Sequence, residues 1–70
     1  MTYQTAIQAI AVSCHTGRET CCEDTPQNRA VLRVEASYRW LDSEGNIGFT
    51  CDAPDNEWTV RIAPPTTAQS

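Results

Sequence analysis

The hydrophobic pattern is clearest in the second half of the chain. Over residues 30–40 the even positions are Ala30, Leu32, Val34, Ala36, Tyr38 and Trp40, while the odd ones include Arg33, Glu35, Ser37 and Arg39. Alternation with period two predicts a strand with one face buried and one wet. Ile47, Phe49 and Cys51 repeat the pattern, and so do Trp58, Val60 and Ile62. Residues 42–45, ending in Gly45, and residues 53–56, containing Pro54, have turn composition. The segment 30–62 is therefore expected to be a three-stranded antiparallel β-meander. If each turn is a four-residue loop, apolar residues face apolar residues throughout: Trp40 opposes Ile47, Tyr38 opposes Phe49, and Ala36, Cys51 and Trp58 form one row.

Upstream, Tyr3, Ile7, Ile10 and Cys14 recur at helical spacing, with Ala6 and Ala11 beside them. This predicts an amphipathic helix over about residues 5–14, ended by Gly17, with His15 and Arg18 at the negative end of its dipole. A strand reading survives for residues 10–14, where Val12 and Cys14 alternate with small residues. A polar, cysteine-bearing linker is expected over 15–28, and a disordered tail over 63–70, which has two prolines and no large apolar side chain. The fold expected is α+β: one small domain over 1–62, with the N-terminal helix packed on the meander as a two-layer sandwich.

The same register orders the polar face. Glu35, Asp52 and Glu57 fall in one row, where like charges directly across from one another cost a few tenths to about 1 kcal/mol per pair. The row offers too few oxygens for a calcium loop, and Arg33 lies one pair along to offset it. Farther along, Arg39 and Arg61 flank Gly48. Two guanidinium groups beside a glycine in a strand make a docking spot for a carboxylate or phosphate, or else an ordinary wet sheet edge with glycine relieving twist.

Net charge sharpens the picture. Nine acidic residues face five basic ones, all arginine, for a net −4. That balance argues against non-specific nucleic-acid binding and suits docking on a basic surface. No basic N-terminal segment or long apolar run suggests a secretory signal or a membrane span, so a cytoplasmic protein with reduced thiols is expected. Cys14, His15, Cys21, Cys22 and Cys51 contain the ligand types of a zinc site, but not the short C-x2-C clip that preorganises one. Glu19, Glu23 and Asp24 surround Cys21 and Cys22 and disfavour a thiolate nucleophile. With one histidine and no glycine-rich phosphate loop, no enzyme or cofactor is expected.

By elimination, the expectation is a small interaction protein whose partner is a protein or nucleoprotein complex. The profile is that of a phage- or mobile-element-encoded inhibitor of host nucleic-acid machinery, anti-CRISPR-like in kind. Two alternatives differ in class. One is a zinc-stabilised regulatory module, and the other is a nucleic-acid binder that uses the sheet's aromatic rows as stacking platforms. Leu41 and Val31, on the wet parity of the first strand, raise a homodimer through that strand's edge.

Overall fold

A computed structural model describes residues 4–62. The elements run α1 (Ala6–Thr16), β1 (Thr20–Cys22), α2 (Pro26–Glu35), β2 (Tyr38–Leu41), β3 (Ile47–Ala53) and β4 (Asn56–Ile62). The four strands form one mixed sheet in the order β1-β4-β3-β2, with β1 parallel to β4 and the other neighbours antiparallel. The α+β two-layer arrangement is as expected, with α1 packed on the sheet. The tail at 63–70 and Tyr3 lie outside the described residues.

Local chemistry sets α1. Thr5 caps it by accepting from the Gln8 N–H, while the Gln8 side chain accepts from the Thr5 N–H, which is a reciprocal capping box. Gly17, at φ +75°, ends it in the left-handed conformation and donates to the Ser13 carbonyl. The buried face differs from the expected one. Ala6, Ala9 and Ser13 turn inward, whereas Ile7 is 68% exposed and Cys14 is exposed. That is a rotation of about one residue, roughly 100°. Small side chains let the helix approach β4 closely, and the Ser13 hydroxyl accepts from the Thr59 N–H at 2.9 Å.

The expected first strand is mostly helix. Residues 26–35 form α2, with Thr25 as N-cap and Pro26 in the first turn. Its inward residues Asn28, Val31 and Leu32 follow helical spacing, and Leu32 is fully buried. Asn28 joins the two helix starts, since its Oδ1 accepts from the Ala6 N–H and its Nδ2 donates to the Glu23 carbonyl. Only Tyr38–Leu41 remains as strand. The expected linker also holds a strand, because β1 pairs Thr20, Cys21 and Cys22 with Val60, Arg61 and Ile62.

Register divides the same way. Between β3 and β4 the expected pairs are present, including Cys51 with Trp58, Phe49 with Val60 and Asp52 with Glu57. Between β2 and β3 the pairing is one residue out: Trp40 lies opposite Gly48 and Leu41 opposite Ile47. The loop has five residues because Asp42 organises it, its Oδ1 accepting from the N–H groups of Glu44 and Asn46. A slip of one turns every β2 side chain over. Trp40 and Tyr38 therefore stand on the outer face, away from the helices, and Arg39 and Leu41 on the inner side at the uncovered edge. The core is built from Phe49, Cys51, Trp58, Val60 and Ile62 of the hairpin, closed by Ala6, Ala9, Cys22 and Leu32.

Candidate functional site

Two charged clusters occupy the outer face, and they differ in whether their charges are answered. The first is centred on Arg61. Its Nε meets Glu19 Oε2 and its Nη1 meets Asp42 Oδ2, both at 2.6 Å. Its guanidinium lies over the Trp40 ring, 5.4 Å from the centroid, which adds a cation–π attraction. Trp40 in turn lies flat on Gly48, where a Cβ would overlap its Cζ2, Cε2 and Cη2 atoms. Its indole Nε1 donates to Thr50 Oγ1 at 2.8 Å. Glycine here makes room for a ring of the same sheet. The Asp42 carboxyl is held below its ordinary value, first by the Asn46 backbone N–H and also by bonds from Glu44 and the Asn46 side chain and by the Arg61 charge.

This arrangement does not leave the anion-gripping pair expected from Arg39 and Arg61 around Gly48. Arg61 is already paired with two carboxylates, and Arg39 opposes Phe49 on the other face. Arg33 and Glu35 stand on α2, so they too leave the row in which they were expected. Arg29 is also helical and is paired with Asp24 at 2.6 Å. Of the residues expected to dock a partner, Gly48 and Arg61 remain together within the first cluster, and Asp52 and Glu57 remain together outside it.

The second cluster lies at the hairpin end. Asp52 and Glu57 oppose each other across β3 and β4, as expected, and Asp55 occupies the turn between them. All three are exposed, and none forms an ion pair among the described residues. Beside them a groove of about 670 Å³ separates the last turn of α1 from the hairpin, lined in part by Ser13, Arg18, Asp52, Asp55, Glu57 and Trp58.

The cysteines disperse. Alternation along β1 sends Cys21 and Cys22 to opposite faces, Cys21 beside Arg61 and Cys22 into the core. Burial pushes the Cys22 thiol up to about 11, helped by Cys21 and Asp24, and burial together with Glu19 raises Cys21. Cys51 is buried and accepts from the Ser37 hydroxyl. Cys14 is exposed on α1 and donates to Asn56 Oδ1 at 3.2 Å, with His15 exposed next along the helix. Among the described residues no three His, Cys, Asp or Glu side chains come together to hold a metal, so the zinc set expected from Cys14, His15, Cys21, Cys22 and Cys51 is not assembled. All four cysteines are free thiols.

An apolar groove of about 570 Å³ runs between the helices, lined by Ile7, Ile10, Ala30, Val31 and Val34 with Glu35 and Asn56. Sequence reasoning placed Ile7 and Ile10 against the sheet and so missed this surface. It also missed Glu19 and Asp42 as partners of Arg61. The signal for Asp42 was present: an Asp two and four residues ahead of backbone donors is a turn-forming arrangement. Among the described residues no helix is long and apolar enough to cross a membrane. No protein-family model, curated protein or solved structure matches the chain.

Proposed function

We propose that the chain is a small non-enzymatic interaction protein that occupies a basic surface of a macromolecular partner, with host nucleic-acid machinery as the partner class. In kind it is a phage- or mobile-element-type inhibitor, anti-CRISPR-like in action. The observation that carries this reading is the unanswered acidic hairpin end. Asp52 faces Glu57 with Asp55 between them, all exposed and without an ion pair among the described residues. Like charges directly across a ladder weaken the sheet, so folding gives no reason to keep them. A phosphate-binding surface on another protein does, because opposite potentials steer and register an encounter.

Two features support the non-enzymatic part. Cys14 is bonded to Asn56 and not to His15, and Cys21 and Cys22 are held in their thiol forms. The acidic surround also sets the sheet apart from a nucleic-acid platform: Tyr38 and Trp40 do lie on the open face, but Glu19, Asp42, Asp52 and Glu57 border them.

The test is inhibition in a purified system. The intact chain, added to RNA-guided nuclease complexes and other nucleic-acid enzymes of the source host, is expected to abolish activity of one of them at near-equal concentration. An Asp52→Asn, Glu57→Gln double variant should restore that activity. If no such enzyme is inhibited, the reading is wrong.

A further inference from the structure

α1 is apolar on two sides, and the sheet covers one of them. None of the chain's nine acidic and five basic side chains lies on this 11-residue helix. Ala6, Ala9 and Ser13 face the sheet, while Ile7, Ala11 and Cys14, at positions i, i+4 and i+7, form an exposed outward ridge. A helix that packs by one side alone carries its charged residues on the other, whereas one that is apolar on both sides is covered on both. α2 continues the surface. Ala30 and Val34 are exposed on it, and Val34, at 79%, is the most exposed large apolar side chain among the described residues. Between the two helices lies the groove of about 570 Å³, to which Ile7, Ile10, Val31, Val34 and Glu35 contribute.

The charges beside that surface indicate what covers it. Arg33 and Glu35 stand about 100° to either side of Val34 around α2. Both are exposed, and neither forms an ion pair among the described residues. One unanswered cation and one unanswered anion on the same helix make the face self-complementary. A partner of either single sign leaves one of them unmatched, whereas a second copy of the face answers both. A two-fold axis running along α2 does so directly, because residue i of one copy then meets residue j of the other and the reverse. Such an axis sets Val34 against Val34. It also brings Arg33 of each copy over the groove of the other, its aliphatic stem beside Ile7 and Val31 and its guanidinium towards Glu35. The net charge of −4 opposes approach of two copies in general, so a face that is neutral in sum is the one they can share.

We infer that the chain forms a homodimer through the α1–α2 face, with Val34 at its centre and Arg33 of each copy paired with Glu35 of the other. Two helices about 15 Å long offer less than the roughly 800 Å² per partner of a standard interface, so the dimer is a weak one. A second subunit is one of the ways in which a domain of 70 residues supplements a small core. The sequence set Val31 and Leu41 on one strand edge as a dimer surface. The fold parts them, Val31 to the groove and Leu41 to β2, and the dimer goes with Val31.

The experiment is sedimentation equilibrium of the full chain from micromolar to millimolar concentration, where a monomer–dimer equilibrium is expected. Val34→Glu places a good helix former at an exposed position, so the circular dichroism spectrum should be unchanged while association weakens about tenfold or more. Arg33→Glu sets like charges across the axis and should also weaken it about tenfold. Arg33→Glu combined with Glu35→Arg restores opposite charges and should recover the dimer. Leu41→Ser, on the β2 edge, should leave association as it was. The inference is overturned by a chain that stays monomeric at millimolar concentration, or by association that survives Val34→Glu. It is equally overturned if the double exchange fails to recover what the single one loses, or if Leu41→Ser abolishes the dimer, which would return the interface to the strand edge.

Discussion

The outer face of the sheet holds two groups of acidic residues that the chain treats in opposite ways. Around Arg61, Glu19 and Asp42 are drawn in from two different loops to meet one guanidinium, which itself rests on Trp40. At the hairpin end, Asp52 and Glu57 meet each other. The first group closes on itself and ties the α1–β1 and β2–β3 connections to the sheet. The second forms no ion pair among the described residues. The arginine pair expected to grip an anion is thus the cluster whose charge is already answered.

The contrast can be broken most strongly at Gly48. Gly48→Ala forces a methyl into the Trp40 ring and should lift it from the sheet, loosening Arg61 with it. A loss of about 1–3 kcal/mol is expected from this overpacking, measured by denaturant unfolding. A substitution at the hairpin end should have no comparable cost.

Acid sharpens the same difference. The Asp42 carboxyl is depressed in the folded state, so its contribution is complete above the ordinary value of 3.8 and is lost as pH falls through the lower folded-state value. Asp24, depressed by its bond from Arg29, acts in the same direction. Unfolding midpoints should therefore fall in acid, and Asp42→Asn should flatten only part of that decline. An unchanged acid profile in the variant would show that Asp42 is not bonded as described.

The smallest effect has the opposite sign. Glu57→Gln removes one member of a like-charge pair and should raise stability by a few tenths of a kcal/mol, more at low salt than at high. Removing a carboxylate from the arginine cluster should lower stability. If both substitutions destabilise, the two groups are alike and the division between them fails.

Legibility in the sequence followed how many independent constraints each segment carried. Residues 47–62 were readable because two alternating runs flank a short turn, and only one register buries Phe49, Cys51, Trp58 and Val60 together. Residues 30–36 satisfied two periods at once, since Leu32 is apolar on either reading and Val34, which completed the alternation, is 79% exposed. Thr25 followed by Pro26, a cap and a first-turn proline, was the deciding signal for the helix. The Arg61 cluster was out of reach because it depends on the five-residue loop. That loop depends on which donors Asp42 accepts from, and a single extra residue there moved Trp40 to the other face. The acidic pair survived because it sits wholly within the well-determined hairpin.

The parallel seam between β1 and β4 has a consequence for how the molecule comes into being. Thr20, Cys21 and Cys22 find their partners only at Val60, Arg61 and Ile62, some forty residues later. The β2–β3 pair and the turns of both helices need only near neighbours in sequence, whereas this seam closes a long loop. Cys22 and the inward face of α1 have no sheet to settle on until β4 is in place. The seam is thus expected to be the last contact made in folding, with a buried-to-be thiol and one helix face uncovered until it closes.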